Sequence, residues 1–324
     1  MSLIPLILKD AENWGNHMEK FAASSVLCAT YGWSLFDSTD RDQTLERITA
    51  LNRRISHAVV PGNFLVNVFP VLMHLPVWFP GTRWKREGLE LNKRVDQLFV
   101  ELVNDVEIKL NEDGKVEHCL TAKLIENEGK YGLDRKETAW LAGVMFAAGA
   151  ETTTGTLCTF ILAMTLHPDV QRRAHAELDS IVGRDRAPSF EDKQNLPYID
   201  AVVKEVLRWR PAAPIRTTIF ENIWAISHNP ELFPDPEEFR PSRFLTEQVE
   251  LSDQIDSEVQ AGVDKLFAFG CGRRICPGQH LAYNSLFITI STLLWAFDIG
   301  QTTDYNGSPI VPERTAFVDT GLAM

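Results

Sequence analysis

Cysteine is scarce in this chain of 324 residues: Cys28, Cys119, Cys158, Cys271 and Cys276, an odd number. That argues against a disulfide framework and suits a reducing compartment. Basic charge is also short, with 32 Lys and Arg against 44 Asp and Glu and a net charge of −12. No basic stripe offsets repulsion from phosphates, so a nucleic-acid partner is not expected. No apolar run reaches the roughly 18 residues of a spanning helix. The nearest, NFLVNVFPVLMHLPVWFP from Asn63 to Pro80, is broken by Asn67, Pro70, His74 and Pro76. It reads either as an apolar loop or short helices packed on the core, or as a surface that dips into a membrane interface with Trp78 and Phe79. The opening MSLIPLILKD has no small-residue cleavage site, so a secretory signal is not read there. Internal repeats and low-complexity tracts are lacking too, and strand signal is slight.

What is present is ordinary for a protein with a real core: 44% hydrophobic and 23% charged residues. The length admits one large domain or two small ones. Helical patterns dominate. Residues 104–134, with NEDGKVEH and ENEGKYGLD, are polar and glycine-punctuated and read as loop. The longest helical signal runs from Glu137 to His167 and is apolar nearly all round, so it should pass through the centre of the protein. Pro168 ends it and opens the next helix, which stops at Gly183; another runs from Pro197 to Pro211. A last helix, LAYNSLFITISTLLWAF, reads as amphipathic.

The central helix contains a contradiction, Ala148-Gly149-Ala150-Glu151-Thr152-Thr153-Thr154-Gly155. Glycine inside a helix costs about 1 kcal/mol against alanine. Threonine hydroxyls bond back to carbonyls one turn earlier and bend helices. A buried glutamate needs a partner or solvent. These residues together read as a distortion facing a cavity; the alternative is a glycine-mediated helix crossing beside a helix-end glutamate.

The loop 267–280, FAFGCGRRICPGQH, crowds cysteines, arginines and glycines into one short stretch. A thiolate there can receive backbone N–H groups from glycine-shaped turns. Nearby arginines and the start of a helix put positive charge beside the sulfur. That suits a thiolate ligand to iron. Other chemistries fit less well. No second Cys/His pair completes a zinc site with Cys271 and Cys276. His280 is near, but nothing identifies a nucleophile's triad. Gly270-Cys271-Gly272 lacks the third glycine and preceding strand of a dinucleotide turn, and no P-loop lysine motif is present. Cys271 itself reads as a packed neutral thiol.

FGCGRRICPG, from Phe269 to Gly278, resembles the heme-binding signature of cytochrome P450, with Cys276 in the ligand place. Further segments match in family order. Ala148 to Thr152 resembles the oxygen-activating groove of the central helix. Glu205-Val206-Leu207-Arg208 resembles the ExxR motif. Phe239 to Phe244 resembles the segment whose arginine, here Arg243, joins that pair. The overall flavour is eukaryotic and closest to fungal enzymes, in keeping with secondary metabolism.

The resemblance implies a mainly α cytochrome P450 fold, incomplete, with little residual β. It implies a single partial domain over residues 1–324, with the central helix at about 137–167, the ExxR helix at about 197–210 and the heme loop at 267–280. Cys276 would be the axial thiolate of heme b iron, favouring O–O cleavage. Phe269, Gly270, Gly272 and Gly278 would shape the cofactor's loop, and Arg274 would pair a propionate. Glu151 and Thr152 would relay protons to oxygen, with Gly149 opening the helix. Glu205, Arg208 and Arg243 would form a buried network that fixes geometry behind the heme; read alone, Glu205 and Arg208 are an ordinary exposed helix pair.

The implied partners are O2, an NADPH-cytochrome P450 reductase-type flavoprotein and a lipophilic small-molecule substrate, on a monomeric enzyme. The full-length family would sit at the endoplasmic reticulum membrane; this chain, read without the anchor, would be cytosolic or of open location. By the resemblance the chain covers about the C-terminal two-thirds of the family's fold. A segment is missing where PIRTTIF meets ENIWAISHNPELF, and AFVDTGLAM begins a final hairpin. Two other functions stay open. One is a non-catalytic truncated remnant or mispredicted gene model. The other is a peroxide-using or isomerising relative, against which the Glu151-Thr152 pair argues.

Overall fold

The structure, a computed structural model, describes residues 3–32, 47–58 apart from 52 and 56, 63–113, 119–212, 222–245 and 267–312. Its helices are α1 (Leu3–Lys9), α2 (Trp14–Tyr31), α3 (Leu65–Val68), α4 (Arg83–Asp113), α5 (Leu120–Glu126), α6 (Glu128–Tyr131), α7 (Arg135–Leu166), α8 (Pro168–Ile181), α9 (Pro197–Trp209), α10 (Ile223–Ser227) and α11 (Gln279–Ala296). Among the described residues β pairing is confined to an isolated bridge between Thr303 and Pro309. The stretch 213–221, where a missing segment is expected, and AFVDTGLAM at the end lie outside the described residues.

The chain divides into two compact units, residues 19–151 and residues 2–18 with 152–318. In the first, α4 buries Val95, Leu98, Phe99, Leu102 and Val106. That spacing is one helical face. It shares a core with Val26 and Leu27 of α2 and Ala139, Ala142, Phe146 and Ala150 of α7. Small residues on α7 let the helices close in: a Cβ built on Gly143 would lie 2.3 Å from the Phe99 ring. Trp140 packs edge-on against Phe99 and donates its indole N–H to Asp96 at 2.8 Å.

Residues 104–134, expected as loop, are largely helical in what is described of them. α4 continues to Asp113, α5 and α6 follow, and Gly132 ends α6 at φ +63°. The long exposed face of α4 supplied the polar residues that mimicked a loop. Within that stretch α4 buries Val106 and packs Leu110, partly buried, against the same core.

In the second unit α9 is buried along nearly its whole length, from Tyr198 to Trp209. The Glu177 carboxylate of α8 accepts the backbone N–H groups of Tyr198 and Ile199 at 2.9 and 3.0 Å, filling the orphan donors of the first turn of α9. Burial raises the Glu177 pKa. Gln171 holds the chain beyond α11 through both its amide atoms, to the Ile299 carbonyl and N–H.

The expectation that α11 is amphipathic needs correcting. Leu286, Phe287, Thr289, Ile290, Ser291, Leu293 and Leu294 are all buried, which leaves no polar face over those turns. The hydroxyls that suggested one bond back along the helix, Thr289 to the Ser285 carbonyl and Ser291 to that of Phe287.

Candidate active site

The ExxR spacing puts Glu205 and Arg208 on the same side of α9, one turn apart. Glu205 is 0% and Arg208 3% exposed, so the exposed-pair alternative does not hold. Arg208 grips the carboxylate with two parallel bonds, Nε to Oε2 at 2.7 Å and Nη2 to Oε1 at 2.9 Å. Its Nη1 reaches the Ser227 carbonyl at the end of α10. Glu205 Oε1 also accepts the Arg240 backbone N–H at 2.7 Å and Arg243 Nε at 3.2 Å. Arg243 spends its remaining donors on the carbonyls of Pro234, Asp235 and Glu238. Burial outweighs the pull of Glu205 and lowers the Arg243 pKa. The network thus ties α9 to the segment 234–243, far off in sequence.

Sequence reasoning named the three charged members and missed their backbone partners. It also missed Phe233, whose ring lies 5.4 Å from the Arg208 guanidinium. The signal available was the density of proline in PELFPDPEEFRP. Such a stretch lacks a regular ladder, so its carbonyls need other donors.

The cysteine loop begins with the 3-10 turn Phe267–Phe269, which packs against α9 and α10. Gly270 and Gly272 sit at φ +73° and +61°, left-handed positions that side chains resist. They fold the loop so that the Cys276 N–H donates to the Phe269 carbonyl at 2.8 Å. The turn Gly272–Arg274 leaves Arg273 and Arg274 exposed, and Cys276 is half-buried. A Cβ on Gly278 would sit 3.8 Å from Cys276 Sγ, in ordinary van der Waals contact with the sulfur. α11 starts at the next residue.

This donor set fits a thiolate-ligated heme. Of its two thiols Cys276 is the half-buried one, in a glycine-turned loop whose exposed guanidiniums can meet carboxylates. Among the described residues no group of three His, Cys, Asp or Glu is placed together to hold a metal ion.

Gly149, Glu151 and Thr152 lie on α7, which stays helical through the whole segment 148–155. Thr156 and Thr159, just beyond the threonines read in that segment, donate back to the Thr152 and Gly155 carbonyls at 2.9 and 3.0 Å. A Cβ on Gly149 would meet both Val26 methyls at 3.1 Å, so this glycine serves a close crossing with α2. Glu151 and Thr152 are half-buried.

A half-buried thiol in a left-handed glycine loop, on a helical frame that also carries a buried carboxylate–guanidinium network, defines a class: helical proteins that present a thiol from a glycine-turned loop. The comparisons give the family. The family model described as Cytochrome P450 matches residues 13–313. Cytochrome P450 monooxygenase 58 of Postia placenta is 44% identical over 335 residues, covering 98% of this chain and 62% of that relative. A cytochrome P450 monooxygenase of Armillaria gallica is 36% identical over 337 residues, covering 98% of this chain and 63% of its own length. A zebrafish cytochrome P450 solved with abiraterone superposes with a TM-score of 0.63 at 24% identity, over 87% of this chain and 63% of that one, and shows the fold. This chain belongs to the cytochrome P450 family and spans somewhat under two-thirds of the length of these relatives.

Proposed function

We propose that the chain carries the site of a heme-thiolate monooxygenase that inserts one oxygen atom of O2 into a lipophilic small molecule, with electrons from an NADPH-cytochrome P450 reductase-type flavoprotein. The observation that carries this reading is the Cys276 loop, whose left-handed glycines and Cys276–Phe269 backbone bond fix the backbone that bears a half-buried thiol. When bound, the heme supplies oxygen activation, aided by electron donation from its thiolate ligand.

The chain's own residues do the rest. Cys276 holds the iron, and the backbone bond to Phe269 restrains its sulfur. Arg274, exposed beside the loop, is free to meet a propionate with two parallel hydrogen bonds. Glu205, Arg208 and Arg243 immobilise the Pro-rich segment 234–243. Glu151 and Thr152 hold and pass protons, a carboxyl and a hydroxyl adjacent on α7. Gly149 sets the approach of α2 to α7.

Reconstitution with heme, a flavoprotein reductase and NADPH under 18O2 tests the reading. One labelled atom in the product of a lipophilic substrate, lost in Cys276→Ser, is expected. Heme uptake without turnover would instead support a non-catalytic heme-binding chain.

A membrane-surface location is supported by the first unit. Leu65, Val71 and Trp78 are 70%, 69% and 76% exposed, so the segment 63–80 is not packed on the core. Residues 47–86 contain no Asp or Glu, while Arg83, Lys85 and Arg86 close the segment. Lys85 donates to the Met73 and Leu75 carbonyls, and Arg86 to that of Val77. A loop whose carbonyls are already satisfied enters a poorly hydrated phase at lower cost. Among the described residues no helix is long and apolar enough to cross a membrane. The segment would therefore lie in the interface, where anionic headgroups meet its cations.

A further inference from the structure

Tyr283 was not singled out by any motif, yet it lies on α11 within two turns of Cys276. Its hydroxyl donates to Asp200 Oδ1 of α9 at 2.7 Å. Burial, and next the Asp200 charge, raise the Tyr283 pKa, so the phenol stays a neutral donor. The other Asp200 oxygen takes Lys204 Nζ at 3.2 Å. From the opposite side Lys193 stands 4.7 Å from the centre of the Tyr283 ring and bonds Asn284 at 2.9 Å. The phenol is thus held at both its face and its tip.

The connectivity gives this contact its consequence. Gln279, the first residue of α11, donates its N–H to the Cys276 carbonyl at 3.3 Å, and Ala282 donates to Gly278 at 2.9 Å. The cysteine loop therefore runs into α11 without slack. α9, which holds Asp200 in its first turn, holds Glu205 and Arg208 in its last two. A shift of α11 along α9 would carry the sulfur with it.

We propose that Tyr283 and Asp200 are a positioning pair that latches α11 to α9 and so fixes the place of the Cys276 sulfur. The pair acts through the helix and does not touch the cofactor. The proposal rests on the heme-thiolate reading for its purpose, but its geometry can be tested without heme.

The test is peptide-resolved alkylation of the heme-free chain by iodoacetamide. A hydrogen bond to a charged acceptor is worth about a factor of ten in a local opening equilibrium. Tyr283→Phe and Asp200→Ala should each speed alkylation of Cys276 by about that factor. The already exposed Cys28 and Cys271 should be unchanged. The double variant should be no faster than either single one, because both remove the same contact. Asp200→Asn, which keeps an acceptor oxygen, should fall between Asp200→Ala and the unaltered chain. In heme-loaded chain the same variants should lower the fraction of ferrous–CO complex with the thiolate-type Soret band. An unchanged Cys276 rate in Tyr283→Phe overturns the proposal, as does equal acceleration at all three cysteines. Failure of the unaltered chain to bind heme would count against the functional reading alone, since the alkylation rates still decide the latch.

Discussion

Replacing Glu205 by glutamine isolates the charge at the centre of the buried network. The carboxylate accepts four hydrogen bonds, from Arg208 Nε and Nη2, Arg243 Nε and the Arg240 N–H. Glutamine keeps one oxygen for the set at Oε1. Its amide nitrogen would then face Arg208 Nε, donor against donor. The Arg208 and Arg243 side chains are 2% and 6% exposed, so water cannot replace the lost charge. Breaking one partner out of a buried ion pair costs about 3–5 kcal/mol. The carbonyls of Ser227, Pro234, Asp235 and Glu238 still serve the guanidiniums, which places the expected loss near the lower end of that range. Urea unfolding followed by circular dichroism would read it as a lower midpoint at unchanged slope. Glu191→Gln, on an exposed carboxylate, should move stability by less than about 0.5 kcal/mol. A loss below about 1 kcal/mol in Glu205→Gln would refute the claim that this carboxylate neutralises two buried guanidiniums.

Gly143→Ala should destabilise the first unit by about 1–3 kcal/mol, because its Cβ would overlap the Phe99 ring. Gly149→Ala, whose Cβ meets Val26 at 3.1 Å, should cost clearly less in the same thermal melts. Asp192 is held below the usual carboxylate range by its ion pair with Arg186 and then by hydrogen bonds from Ser189. A folded-state pKa below the unfolded value gives stability that is present above about pH 4 and lost as pH falls towards the folded value. Asp192→Asn should therefore flatten the acid limb of a stability–pH curve below about pH 4. Trp78→Ser with Phe79→Ser should lower binding to anionic vesicles by about tenfold in sedimentation assays, with neutral vesicles bound weakly by both chains.

The legible parts of the fold are those punctuated by proline and glycine. Pro168 and Pro197 open α8 and α9 at the residues the sequence marks, and the central helix expected at 137–167 runs from Arg135 to Leu166. Those residues act locally, by removing a donor or permitting a left-handed turn. The misread parts depend on distant partners. The polar stretch 104–134 is helical because α4 buries a narrow stripe against the core of its unit. α11 is buried from Leu286 to Leu294 with its hydroxyls bonded back along the helix. At the site, Glu205, Arg208 and Arg243 were legible as charges whose spacing fits one face or one motif. The carbonyls that complete the network and the Tyr283–Asp200 bond were not, since backbone acceptors and single long-range contacts leave no mark in residue type; the crossing at Gly149 was legible from the glycine as an alternative, but not its partner Val26.

The most direct measurement is the absorption spectrum of the heme-loaded chain, reduced and exposed to carbon monoxide. The strongly red-shifted Soret band of a thiolate-ligated complex is expected, abolished in Cys276→Ser and kept in Cys271→Ser. An unshifted band in the unaltered chain, or a red-shifted one that survives Cys276→Ser, would contradict the assignment of Cys276 as the ligand.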